Sequence, residues 1–487
     1  MEKKSIGFGA RGTMLLIYQF LAYCAYCAFT NFPQNLLSDF FGGTNVTTLM
    51  NLIGSMLGYV ITYFVVAPNI GKIKNMKRVG IIIGLVSLVF CAGVCLIPAE
   101  QRVLWCICFV CVLITTQLWA CFFVTQLIGN WFPRRKGTVM GIVTMAFPLV
   151  TGICLGLFAS HFFGMVFGQG VDFTLARVIA FSPYWIAGLV AIIVCALFLK
   201  DFPEQCGAYR DNDKSFTPEM ANEMLMKELE ARKNSCWKRS KIWGCKDWWM
   251  QAIPTALLLA CAMAFMVQIM PVLQSKGDAL NVLAIPGFSL MADGYNAVLF
   301  GLSIFAMFGS WLLGVLDTKY GTKTAVFITS IIMLIAGGLG MLDNIWCTVA
   351  ACWMLGLFMG ASSNFGLSSI VRYWRLEDYP SVMSGAPPVS TIIGAGFPFL
   401  VSVISRIGLT PEQINDLNNG VEGAVANYKY SFLFVAIMAV VCIVCNRLFS
   451  PRGIAEYDRK LRIEAGLEPD NVLFDRLDME KRQNAKA

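Results

Sequence analysis

The chain has 487 residues, 57% of them hydrophobic and 14% charged, against roughly 45–50% and about 25% in soluble domains. That balance excludes an ordinary soluble enzyme. Apolar runs of roughly 20 residues recur along it, each able to cross a hydrocarbon core of about 30 Å, so the class is a polytopic α-helical membrane protein. The net charge of +8 then reads as topology and not as a polyanion-binding surface, and neither a nucleic-acid partner nor a cofactor or metal is expected.

Lys3, Lys4 and Arg11 precede a first apolar run of full spanning length with no evident small-residue cleavage site, so the chain opens on a transmembrane helix and not on a removed signal. Twelve spans are predicted, at about 13–37, 48–68, 79–98, 103–128, 138–160, 182–199, 249–273, 294–316, 324–342, 345–369, 381–403 and 429–449. The expected division is an N-terminal six-helix half (1–199), a central loop (200–248), a C-terminal six-helix half (249–450) and a tail (451–487). Of the 38 Lys and Arg, 33 fall on one assigned side, which the positive-inside bias makes the cytoplasm, with both termini there. The expected location is the cell membrane.

Within the central loop Thr217-Pro218-Glu219 is a helix start with Pro at its first position. Trp237, Trp243, Trp248 and Trp249, interleaved with Lys238, Arg239, Lys241 and Lys246, form an interfacial approach to span seven. The loop reads as a solvated tether with membrane-surface anchors, and the charged tail from Pro451 is assigned no chemistry. The 18 cysteines lie mostly in apolar runs and act there as small hydrophobes. Pairs at i, i+3 (Cys24/Cys27, Cys108/Cys111, Cys442/Cys445) lack the further soft ligands a metal site needs, and the single histidine is His161.

Trp131 and Val139-Met140 recur as Trp374 and Val382-Met383, each offset by 243 residues. Both copies sit between the fourth and fifth spans of their half. The halves therefore read as parallel repeats, which places a substrate path at their interface near the midplane.

Three loop motifs add a resemblance. Gly314-Val-Leu-Asp317-Thr-Lys319-Tyr-Gly321-Thr-Lys323 and the earlier Gly71-Lys72-Ile-Lys74-Asn75-Met-Lys77-Arg78 lie after spans eight and two, and with the 6+6 plan they resemble the major facilitator superfamily over residues 10–450. The first copy keeps the basic end and lacks the acid, so a symmetrical gate is not expected. Asn130-Trp131-Phe132-Pro133-Arg134-Arg135-Lys136-Gly137 resembles the oxalate/formate-antiporter and monocarboxylate-carrier branch, which moves small organic anions. The resemblance implies a gating rim of Lys77, Arg78, Arg134, Arg135, Asp317, Lys319, Gly321 and Lys323, where cations change partners between states.

That branch's oxalate carriers resemble one another in carrying basic residues within second-half helices. Spans eight and eleven here contain no Lys or Arg, and an unpaired dianion at the midplane would be heavily penalised, so oxalate itself is disfavoured. No Asp, Glu, Lys or Arg stands mid-span; Asp293 and Arg406 lie at membrane ends, and His161 is the one group with a near-neutral pKa. Exchange, proton coupling and facilitated diffusion all stay open.

The resemblance also implies that the first, fourth, seventh and tenth helices line the cavity. Their polar faces supply Gln19, Tyr23, Tyr26 and Thr30 at helical spacing, then Thr116, Trp119, Phe123 and Gln126, then Gln268, then Trp353, Gly360 and Asn364. Amides and hydroxyls beside aromatic rings suit an organic molecule with few charges. Gly54/Gly58 and Gly152/Gly156 permit close helix approach, at positions that resemble sliding seams between halves. The expected function is a monomeric secondary transporter of a small organic solute, an organic acid or amphiphilic metabolite. The alternatives are a transport-fold sensor or a facilitator of a neutral solute; an enzyme is not expected.

Overall fold

The computed structural model describes residues 7–31, 44–66, 75–132, 139, 142–143, 146, 149–150, 172–220, 222–223, 226–227, 230, 235–285, 294–375, 378, 381–382, 386–418 and 425–484. Among these, every regular element is helical: an all-α membrane protein, as the hydropathy requires. Among the described residues, nine helices are long and apolar enough to cross a bilayer, and ten if one bent pair counts as a single span. Most of the predicted fifth span, including Pro148, Gly152/Gly156 and His161, lies outside the described residues.

The first group of helices is α1 (Gly9–Asn31), α2 (Thr44–Val60), α3 (Met76–Leu96), α4 (Arg102–Thr116), α5 (Val124–Trp131), α6 (Phe173–Ala180) and α7 (Ser182–Phe198). Local chemistry sets their starts. Asn75 Oδ1 accepts the Arg78 N–H at 2.8 Å to begin α3, and Asp172 Oδ2 accepts from Thr174 and Leu175 at 2.9 and 3.2 Å to begin α6. A π-helical stretch, Gln117–Phe123, joins α4 to α5 and re-aims Trp119. The bent pair is α6 and α7, which meet at 51°.

The second group is α8 (Arg239–Trp243), α9 (Lys246–Gln274), α10 (Gly294–Tyr320), α11 (Thr322–Gly340), α12 (Ile345–Leu357), α13 (Met359–Tyr373), α14 (Ala386–Ile404), α15 (Pro411–Asn418), α16 (Lys429–Leu448), α17 (Pro451–Glu464) and α18 (Val472–Asn484). The predicted tenth span is broken at Phe358 into α12 and α13. Gly321, with φ of +91°, makes the turn between α10 and α11 in a conformation that an L side chain would strain.

The chain forms two compact units. One contains residues 1–222, 267–303 and 408–426; the other contains 223–266, 304–407 and 427–487. In the first unit the core is aromatic: Phe29 packs on Phe109, Phe181 and Tyr184 with centroids 5.1–5.4 Å apart. Gly54 and Gly58 of α2 face Leu113, Ile114 and Gln117 so closely that a methyl group at Gly54 would stand 2.6 Å from Leu113. That glycine pair packs on α4 and the π-helical stretch after it, within one unit.

In the second unit α11 lies against α16. A methyl group on Gly337 would meet the Ala436 backbone at 2.7 Å, and one on Gly340 would collide with the Phe432 ring.

The central loop differs from the expected solvated tether, and the tail, to which the sequence assigned no chemistry, packs on part of it. Residues 200–216 belong to the first unit, where Trp131 Nε1 donates to Lys200 O at 3.0 Å and Asn212 Nδ2 to Gly7 O at 3.1 Å. In the second unit Trp237 and Trp248 are 1% and 0% exposed, packed with Trp374, Phe449, Ile454 and Leu461. They are core residues and not bilayer anchors, because α17 supplies the apolar face that covers them; Trp243 alone of the four is largely exposed.

Candidate functional site

Along α1 the polar face separates by burial. Gln19 is 1% exposed, while Tyr23 and Tyr26 are half-buried, their rings 5.7 Å apart and tilted by 31°. Thr30 turns back on its own helix, donating to Tyr26 O at 2.9 Å. The Tyr23/Tyr26 pair is thus the part of the predicted face with aromatic surface to offer.

Thr116 and Trp119 take a different place. Thr116 Oγ1 shares hydrogen bonds with Ser87 Oγ at 2.8 Å and Tyr184 OH at 2.9 Å, and Ser87 lies 2.5 Å from Tyr184 OH and also accepts from Thr115 at 2.9 Å. This four-hydroxyl cluster joins α3, α4 and α7 without exposing a polar atom to a membrane interior that has no water to satisfy it. Trp119 is fully buried, donates from Nε1 to Tyr18 OH at 3.0 Å and fills the space above Gly84, where a methyl group would come within 3.1 Å of it. Both residues are engaged in holding helices of the first unit together. Ser87 escapes sequence reading because it stands alone in an apolar run, and Tyr18 and Tyr184 because nothing in their local spacing pairs them with it.

On α9, Gln268 is fully buried. In the second unit Trp353 stacks on Phe305 at 5.2 Å and 15°. Gly360 is a packing residue, since a methyl group there would run into Ser310. The side chains of Gln126 and Asn364 lie outside the described residues, as do Arg134 and Arg135.

The predicted rim residues fall into two kinds. Lys77 and Lys323 are each the second residue of their helix, α3 and α11. Lys77 Nζ donates to Ala196 O and Leu199 O at 2.9 and 2.7 Å, at the end of α7, and its N–H to Asp201 Oδ1 at 2.6 Å. Lys323 Nζ donates to Phe449 O at 2.6 Å, just past α16. Each ammonium thus satisfies carbonyls at a helix C-terminus, where the dipole favours a cation. Asp317 accepts from Thr322 Oγ1 at 2.6 Å, and its carbonyl from Arg372 at 3.1 Å. Arg78 and Lys319 are exposed, with Lys319 Nζ lying 5.2 Å from the Tyr320 ring centre.

A buried cation not expected from the sequence stands in the first unit. Arg177, 1% exposed, donates to Val94 O and Ile97 O at 3.0 and 2.7 Å and covers the Phe173 ring, closing the C-terminus of α3. A second charged centre, in the other unit, holds Arg375. Its guanidinium meets Asp458 at 3.0 Å and makes two hydrogen bonds to Asp470, and Asp458 also accepts from Trp237 Nε1 at 2.8 Å. Burial alone would lower the Arg375 pKa, but the hydrogen bonds to Asp470 and the charge of Asp458 outweigh it and raise it. The Arg375 hydrogen bonds bring Asp470 down to about 2. The signal for Asp458 was present in the sequence: it shares a helical face with Ile454 and Leu461, an acid on an apolar stripe.

Neither a scan against family models nor a search of curated proteins finds a match to this chain. Solved structures do share its fold. A bacterial homolog of the human lysosomal transporter Spinster, inward-facing and unoccupied, is similar over 98% of both chains at 14% identity and a TM-score of 0.53. A D-xylose-proton symporter is similar over 91% of this chain and 98% of its own, at 11% identity and a TM-score of 0.62. The nucleoside transporter NupG covers 90% of this chain and 98% of its own, at 11% identity and 0.55. The fold is therefore that of membrane transporters with different cargoes, and a twelve-helix plan agrees with it.

Proposed function

We propose that this chain is a secondary transporter that moves a small organic solute by alternating access, with its basic loops and both termini in the cytoplasm. The observation that carries the reading is the fold, shared over nearly the whole chain with transporters for a sugar and a nucleoside. Cargo varies on such a fold, so the solute class is argued from side chains. The half-buried rings of Tyr23 and Tyr26, on the same helical face as the Gln19 amide, suit an organic acid or amphiphilic metabolite with an apolar body. Of the rim residues, we assign Arg78 and Lys319 to contacts that change between states, and Lys77 and Lys323 to holding each half together.

The test is a counterflow screen in liposomes at two pH values, with and without a proton gradient. Flux of an organic acid that falls at least tenfold in Tyr23→Ala and Gln19→Ala supports the assignment. Solute binding without flux across a broad panel favours a sensor instead, a reading supported by the packed tail.

A further inference from the structure

We infer that the C-terminal segment 451–484 is a clasp that positions the turn between α10 and α11, and that Arg375 is its positioning residue. The contacts run in one direction through the second unit. Asp458 and Asp470, from α17 and the link to α18, grip Arg375 just beyond the end of α13. Arg476 of α18 donates to Trp374 O at 2.9 Å and to Arg372 O at 3.5 Å, closing the last turn of the same helix. Arg372 in turn donates to Asp317 O, and its guanidinium lies where a methyl group on Gly321 would come within 3.1 Å. Tyr373 OH accepts the Lys323 N–H at 3.2 Å. Tail, end of α13 and the Asp317–Lys323 turn are therefore linked by consecutive contacts.

The charges at the centre point to more than packing. The Arg375 and Asp458 side chains are 8% and 3% exposed. An apolar pair of similar volume would fill that place without desolvating two ions, so the ionic pair contributes register and not bulk stability. Around it lie Arg462, 3.8 Å from Asp470, and Ser235, whose hydroxyl donates to Asp378 at 2.5 Å. The end of the central loop is thereby tied to the same centre. In a transporter this turn belongs to the rim that must move as one piece, so release of the tail lowers turnover while leaving solute affinity intact.

That consequence rests on the transport reading; the clasp itself does not. The test is hydrogen exchange on the full chain in detergent, comparing wild type with the double variant Asp470→Asn/Arg476→Gln. These are the tail's more accessible partners, so the fold is retained. We expect amide exchange to rise at least tenfold in residues 370–375 and in 315–323 as well as in the tail, and Asp470→Glu to restore protection. Faster exchange confined to 465–484 would overturn the clasp. In liposomes the double variant should show kcat reduced several-fold at unchanged KM; equal kcat overturns the control of turnover, while absence of flux in the wild type counts against transport and leaves the exchange result standing.

Discussion

Lys77 and Lys323 solve one problem twice. Each stands one residue inside a helix and reaches back to carbonyls at the end of another, a contact that ties two helices by a charge-assisted bond worth about 1.5–3 kcal/mol. Lys77→Met and Lys323→Met should each lower the thermal midpoint in detergent by several degrees, with Arg at either position restoring most of it. A residue acting only as a gate would instead alter flux with no change in that midpoint. Tyr184→Phe removes one member of the four-hydroxyl cluster, and its expected loss is about 1 kcal/mol because Ser87 and Thr116 still bond to each other.

At the scale of helices, α11 offers a controlled comparison. Gly337→Ala drives a methyl group into the Ala436 backbone, where overpacking costs about 1–3 kcal/mol. Gly338, its neighbour, faces open space within 4 Å, so Gly338→Ala should be neutral or stabilise by about 0.5–1 kcal/mol. Thermal unfolding of the two variants side by side measures the difference, and equal midpoints would contradict the α11–α16 seam. Helices of this kind were legible in the sequence because lipid demands long apolar runs. The partners of the predicted fourth-span face were not: polar residues on an apolar helix turn inward whether they meet a solute or another helix, and the bonds of Thr116 and Trp119 to Ser87, Tyr184 and Tyr18 are visible only in the structure. The Trp237 and Trp248 environment was hidden for a similar reason. A tryptophan beside lysines looks the same whether lipid or α17 covers it.

For the whole molecule, pH and sidedness give separate tests. Arg375 holds the Asp470 pKa at about 2, below the roughly 3.9 of an unfolded aspartate. A depressed carboxyl contributes stability that is complete above the unfolded value and is lost as pH falls through the folded one. Tail protection from exchange should therefore be constant from pH 8 to about 5 and decline between about pH 4 and 2. Loss of protection near pH 6 would require a different titrating group. Protease added to sealed vesicles should remove the tail only when the cytoplasmic face is outward, and cleavage in the opposite orientation would reverse the proposed topology.

Trp131 and Trp374 share the 243-residue sequence offset, yet their indole N–H groups differ. That of Trp131 is bonded to Lys200 O, whereas that of Trp374 has no partner among the described residues and its ring meets Trp237 edge-on at 5.8 Å. The two halves that the sequence offset pairs thus differ in what holds these positions. A circular permutant beginning within the central loop should fold only if residues 235–248 and 451–484 both travel with the second half.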